Sequence, residues 1–298
     1  MRGLHKNVRM CVESHKCRYM CNALFDAIVT LASNKHNSYN ARLEMIKNEL
    51  DFGVFHYTFP PRKETQLFGD AIIAIVSGNR AILIDVGYED EAKQVVDDLS
   101  MNNISVDTVI VSHFHADHLF GISVFSGVPF YGAVGFNETL IFEETLDEEM
   151  EKYTPSFIVD KPTILDYGNH KIELIPFPGH SVCTMLIKIN ELFLYIADEV
   201  MLTTDGKLML PYLCNGDKDT KRQRQIKAYA RLKDYSRFSI IPAHGSVFEG
   251  DKLNGYLQDI ESYLNAVIET NGLITYEDAV KNCAVPLMQS NWHEDNCK

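Results

Sequence analysis

His113-Phe114-His115-Ala116-Asp117-His118 closes the apolar run Val106–Ser112 (VDTVIVS), and the reading of these six residues decides the fold. The β-branched density of 106–112 predicts a buried strand. Side chains two apart on extended backbone project to one side, so His113 and His115 can chelate one cation together. Asp117 and His118 follow at the turn, face elsewhere, and can serve a second cation nearby. Imidazole mixed with carboxylate suits zinc, iron or manganese, whereas calcium prefers oxygen-only cages. Three histidines and one aspartate at fixed positions arise by chance about once in a thousand chains of this composition. A merely solvated histidine cluster is the weaker reading.

Further donors stand at strand ends downstream. Pro178-Gly179-His180-Ser181 follows a strand expected over 171–176, Asp198 closes the run 192–197, and Pro242-Ala243-His244-Gly245 follows 238–241. Each alone reads as a polar turn residue. Together they supply the remaining ligands of a two-metal site, which would use five of the eleven histidines.

Outward from the motif, strand and helix signals alternate. Ala71–Val76 and Ala81–Val86 are joined by Ser77-Gly78-Asn79-Arg80, a hairpin signature. Alternating Phe55, Tyr57 and Phe59 predict a strand, and core packing is favoured over a substrate-covering flap for Phe52–Pro61. Strands are also expected at 128–131, 183–189 and 192–197, and helices at 89–101, 137–151, 219–235, 251–271 and 275–281. His56 and His170 read as surface or hairpin residues. The basic run Lys218–Arg231 and the acidic run Glu143–Glu151 read as solvated helix faces. Strands alternating with helices, hairpins mixed in, give an α/β (α+β) class with layers over mixed sheets.

The 298 residues are 46% hydrophobic and 23% charged, an ordinary globular composition. A net charge of −13 disfavours a nucleic-acid partner, because gripping phosphates needs clustered Lys and Arg. No stretch approaches 18 consecutive apolar residues, so no membrane span is expected. Seven cysteines form no regular framework, and Asp26 interrupts the only leader-like apolar run, so a reducing, cytoplasmic setting is expected. Residues 1–44 carry a net +4 against −17 for the remainder. They read as an N-terminal extension with one amphipathic helix over 19–32, and Met45 as a plausible natural start; Cys11, His15, Cys17 and Cys21 match no common zinc spacing. The domain reading is therefore an extension at 1–44 and one catalytic domain at 45–298.

On these motifs the chain resembles the metallo-β-lactamase-fold superfamily of hydrolases over about residues 50–250, with likeness to its glyoxalase II and lactonase members. The resemblance implies a four-layer αββα sandwich with two divalent metals at one sheet edge. It implies His113, His115 and His180 on the first metal, Asp117, His118 and His244 on the second, and Asp198 bridging both. Asp85, in Leu83-Ile84-Asp85-Val86-Gly87, matches the family's first motif and would orient the ligand loops. Departures narrow the subfamily. True class B β-lactamases usually lack a histidine where His118 stands, and flavodiiron proteins have an acidic residue at the place of Ala116. Glyoxalase II proteins hold glutathione with basic residues of a C-terminal region, whereas 251–298 has only Lys252, Lys281 and Lys298.

Two such cations, most simply zinc with iron or manganese as alternatives, lower the pKa of a shared water toward about 7 and stabilise an oxyanion. The expected function is hydrolysis of a small ester, lactone or thioester, with Asp117 as the catalytic residue passing a proton to the leaving group. Alternatives are a small-substrate phosphodiesterase and a mononuclear-iron dioxygenase of the persulfide type. A non-catalytic metal-binding module is the answer from outside enzymology.

Overall fold

The computed structural model describes residues 45–142 and 151–298; the extension 1–44, its expected helix, its cysteines and most of the acidic run 143–151 lie outside the described residues. The helices there are α1 (Glu89–Met101), α2 (Ala116–Leu119), α3 (Phe136–Phe142), α4 (Lys218–Leu232), α5 (Leu253–Glu269), α6 (Tyr276–Val280) and α7 (His293–Cys297). Among the described residues, no helix is long and apolar enough to cross a membrane.

The first sheet follows chain order: β1 (Ile46–Asp51), β2 (Val54–Thr58), β3 (Ala71–Ser77), β4 (Arg80–Ile84), β5 (Ser105–Ile110), β6 (Phe130–Ala133) and β7 (Phe157–Val159). Strands β1 to β4 pair antiparallel and β4 to β7 parallel. The connections explain the change. Gly78, at φ +62°, lets the predicted hairpin turn tightly between β3 and β4, whereas α1 supplies the crossover that parallel β4 and β5 require.

The second sheet contains β8 (Thr163–Tyr167), β9 (His170–Pro176), β10 (Met185–Ile189), β11 (Phe193–Tyr195), β12 (Ser239–Ile241) and β13 (Phe248–Glu249), ordered β13-β12-β11-β10-β9-β8. Its pairs are antiparallel except β11 and β12, which α4 connects.

A period of two sorts this sheet's side chains into two cores. Met185, Ile187, Ile189, Tyr195 and Ile241 enter the core that also holds Ile73, Leu83 and Val109 of the first sheet. The intervening Leu186, Leu194, Ile196 and Ile240 pack with Tyr229 and Leu232 of α4 and with Leu257, Ile260 and Leu264 of α5. Helix α1 packs Ala92, Val95 and Leu99 against the first sheet. The result is the expected αββα layering. Each fully buried Leu or Ile contributes on the order of 1.5–3 kcal/mol, so a one-residue slip of β10 would expose both cores at once.

The local expectations fare unevenly. His56 and His170 are hairpin residues, on β2 and at the start of β9, but they are buried rather than on the surface, at 3% and 6% exposure. His56 sits on β2, which is paired on both edges, and His170 is held between the Val76 carbonyl (3.1 Å) and the Asn190 amide (3.0 Å). The basic helix α4 is not a purely solvated face: Arg222 is 1% exposed and spends its guanidinium on backbone carbonyls. The Ser-Gly-Asn-Arg hairpin, the α1 boundaries and the Thr275 cap of α6 stand as expected.

Candidate metal centre

The seven sequence-selected donors lie just beyond strand ends, and the two sheets bring those ends together. His113 follows β5 and leads into α2, whose N-cap is His115 and whose single turn holds Asp117 and His118. His180 follows β9, Asp198 follows β11, and His244 follows β12. The tight returns need special backbone. Ala197 takes φ +48° beside Asp198, and Gly245 takes φ +98° where a Cβ would sit 2.5 Å from that of Leu202. Gly179, ahead of His180, leaves the space that a Cβ would contest with the Glu199 carboxylate at 2.3 Å.

Two donor sets result. His113, His115, His180 and Asp198 place ligand atoms within 4.8 Å of one another, as do Asp117, His118 and His244. In the first set His115 presents Nδ1, which lies 3.0 Å from His113 Nε2 and 3.1 Å from His180 Nε2. Asp198 faces both sets. Its Oδ2 is 3.7 and 3.5 Å from Nε2 of His113 and His180, while its Oδ1 is 3.3 and 3.5 Å from Nε2 of His118 and His244. Asp117 stands 3.6 Å from His118 Nε2 and 3.5 Å from His244 Nε2, on the more open side of the cluster.

Behind the donors, three of the rings are oriented through their other nitrogen, which fixes the tautomer. His118 Nδ1 donates to Asp85 at 2.7 Å, His180 Nδ1 to the Tyr212 carbonyl at 2.8 Å, and His244 Nδ1 to the Gly69 carbonyl at 3.0 Å. Asp85 also accepts from the Ser112 amide and hydroxyl and from the Tyr195 hydroxyl. The His180 loop rests on α4. Arg224 donates to the carbonyls of Gly179 (2.8 Å), Asn215 (2.7 Å) and His180 (3.3 Å), and Gln225 holds Glu199, which accepts from the His180 amide. Arg224, Gln225 and Asp70 escaped the sequence reading. Asp70 is buried beside His244 Nδ1 at 3.6 Å, and no motif marks it.

The electrostatics divide the histidines. Burial is the largest influence on His113, His115 and His180 and pushes all three below the ordinary imidazole value, so their lone pairs are available at neutral pH. Burial acts the same way on His118, but the Asp198, Asp117 and Asp85 carboxylates outweigh it and hold that ring well above the usual range. The same contest, with Asp198 foremost, pushes His244 up to about 9. Asp198 stays well below the carboxylate range because the imidazoles around it outweigh its burial. Burial followed by the neighbouring Asp117 drives Asp70 well above that range.

These residues fit divalent cations. His118 Nε2 and Asp198 Oδ1 are buried and make no hydrogen bond, an arrangement that a shared cation would satisfy. The N/O donor mix suits zinc, iron or manganese. The set opens into a cavity of about 390 Å³ lined by Phe68, Tyr88, Asp117, Tyr212, Trp292 and Asp295 among others.

Comparison with known proteins agrees with this geometry: the sequence model of the metallo-β-lactamase superfamily matches residues 67–183, which span the HxHxDH motif and His180. Over residues 67–183 the chain is similar to the metallo-β-lactamase superfamily. Many members of this superfamily are hydrolases. A beta-lactamase-like protein 2 homolog of Drosophila melanogaster is 24% identical over 196 residues, 63% of this chain and 61% of the relative, so the match spans less than two thirds of that protein. A probable metallo-hydrolase of Methanocaldococcus jannaschii is 25% identical over 178 residues, 58% of this chain and 74% of its own. The metallo-β-lactamase of Pontibacter korlensis superposes with a TM-score of 0.59 at 18% identity, covering 72% of this chain and all (100%) of its own. The DIM-1 metallo-β-lactamase gives 0.57 at 18% identity, covering 73% and 97%. At such identities the solved structures establish the metallo-β-lactamase fold and nothing finer.

Proposed function

We propose that the protein is a dinuclear metal-dependent hydrolase of small esters, lactones or thioesters, with zinc as the preferred metal. The observation that carries this reading is Asp198, whose two oxygens face different donor sets. When bound, two divalent cations supply an activated water as nucleophile and Lewis acidity for the substrate carbonyl. The chain's own part is positional. His113, His115 and His180 would hold one cation, Asp117, His118 and His244 the other, and Asp85 fixes the ring of His118 so that its Nε2 points into the site. Asp117 is the most accessible donor, with 22% of its side chain exposed, and borders the cavity. That placement suits it to carry a proton to the departing alkoxide or thiolate. A small-molecule partner fits the 390 Å³ cavity, and the acidic body argues against nucleic acid. A cytoplasmic setting fits the free thiols of Cys183, Cys283 and Cys297.

The test is metal content of protein purified without added metal, with lactone, thioester, ester and phosphodiester panels assayed in parallel. Zinc with ester or lactone turnover is expected. Asp117→Asn, compared at equal metal content, should lower kcat about 10²–10⁴-fold with a far smaller change in KM. Iron with oxygen uptake would transfer the site to the dioxygenase reading, and phosphodiester cleavage alone to the phosphodiesterase one. No turnover with any metal would overturn hydrolysis.

A further inference from the structure

The C-terminal residues return to the metal site and build one side of its cavity. Asn291, Trp292 and Asp295 line the same space as Asp117, Asp198 and His244. Trp292 is the chain's only tryptophan, and it joins an arc of rings that starts and ends on candidate ligands. Phe68 packs edge-on to His244 at 4.6 Å between centroids and tilts against Trp292 at 5.7 Å. Trp292 in turn lies 5.3 Å from Tyr212, whose ring is 6.1 Å from His180 and 6.4 Å from His115.

This strap is anchored from behind. Buried Arg222 donates to the Asn296 carbonyl from Nε (3.0 Å) and Nη2 (2.8 Å), and to the Cys297 carbonyl at 2.6 Å. The Asn296 amide donates to the Pro211 carbonyl at 2.7 Å, which ties the strap to the loop presenting Tyr212. His293 is held between the Tyr263 hydroxyl (3.0 Å) and the Ile274 carbonyl (2.9 Å). A wall fixed in this way loses little freedom when a ligand settles on it. Its faces are aromatic, the carboxylates beside it are Asp117, Asp198 and Asp295, and Lys298 pairs with Asp295 at 3.4 Å. Among the described residues lining the cavity there is no Lys or Arg.

We propose that the strap 290–298 is the specificity wall of this site: Phe68, Tyr212 and Trp292 form a slot for the flat or apolar part of an uncharged acyl substrate, and Trp292 is its specificity-determining residue. The proposal rests on the hydrolase reading for its substrate class. An apolar group gains by burial against the three rings, whereas a carboxylate on the same group would meet Asp117 and Asp295, the latter offset only in part by exposed Lys298, whose Nζ stands 3.4 Å from Asp295 Oδ1.

The test uses the zinc-loaded full chain and two readouts. Kinetics compare p-nitrophenyl butyrate with its carboxylate-bearing analogue, mono-p-nitrophenyl glutarate. Tryptophan fluorescence, a single-site signal here, follows binding of the uncleaved neutral mimic p-nitrobutyranilide. The neutral ester should be favoured at least about tenfold in kcat/KM, a difference of about 1.4 kcal/mol. Trp292→Ala should raise its KM about tenfold with kcat within threefold and metal content unchanged, Trp292→Phe should restore most of the loss, and Asp295→Asn should improve only the anionic ester. In the wild type the anilide should quench fluorescence saturably. Equal handling of the two esters, an absence of saturable quenching, or a Trp292→Ala defect confined to kcat would each overturn the proposal. Quenching without turnover of either ester or of the lactone and thioester panel would refute the hydrolase reading while supporting the slot.

Discussion

Asp85 is a buried carboxylate that accepts four hydrogen bonds from three residues: Ser112 twice, Tyr195 and His118. It does so from the left-handed region at φ +56°, a conformation costing on the order of 1 kcal/mol that aspartate tolerates better than most. Asp85→Ala would leave two hydroxyls and an imidazole unpaired in the core. The expected loss is roughly 3–5 kcal/mol in urea unfolding of chelated protein, with metal affinity about 10–100-fold weaker in equilibrium dialysis. His56 makes a different kind of prediction, because no hydrogen bond satisfies its Nε2 and burial holds it down at about 4. The unfolded chain takes up a proton near the ordinary value of 6.5 that the folded chain refuses. Stability from this residue is therefore complete above pH 6.5 and drains away as pH falls toward 4, by roughly 3 kcal/mol in all. His56→Leu should flatten that part of the stability–pH curve, and an unchanged slope would place the acid sensitivity elsewhere.

At the scale of elements, α4 decides how well the His180 loop is held. Arg224→Met keeps most of the packing volume but leaves the carbonyls of Gly179, Asn215 and His180 without their shared donor. Metal affinity should fall about tenfold and the loop's amides should exchange faster with deuterium, while α1 on the far side stays protected. The candidate donors were legible because chelation would impose spacing: His113 and His115 would alternate, and Asp117 and His118 would follow a turn. The strands carrying them were legible from β-branched runs, and α1 from its apolar period. What supports them was not. Arg222 and Arg224 sit in a run whose charge reads as solvated, and their partners are backbone carbonyls, which have no sequence signature. The edge strands β1, β7 and β8 were missed for a related reason. Ile46, Phe157, Ile158 and Ile164 are 60%, 48%, 56% and 53% exposed, so no buried face imposes a pattern there. The C-terminal strap escaped notice because its ring arc joins Phe68, Tyr212 and Trp292, positions far apart in the chain.

For the molecule as a whole, the arrangement of donors matters more than their number. His113, His115, Asp117 and His118 follow the first sheet, whereas His180, Asp198 and His244 follow the second, and each donor set draws on both. A cation in either set would cross-link the two sheets. Removing metal with a chelator should therefore lower stability by about 4 kcal/mol when free metal had stood a thousandfold above Kd. For a domain of this size that is roughly a 10 °C drop in Tm by calorimetry, reversed by adding zinc. An unchanged Tm would mean that the sheets dock fully without the cations. The donors also have an order of appearance. A ribosome releases the motif at 113–118 well before the residues that complete it. The first set closes only once Asp198 has emerged and the second only after His244. The first set can therefore load before the second exists, and a chain terminated between those two residues would carry at most one half of the centre.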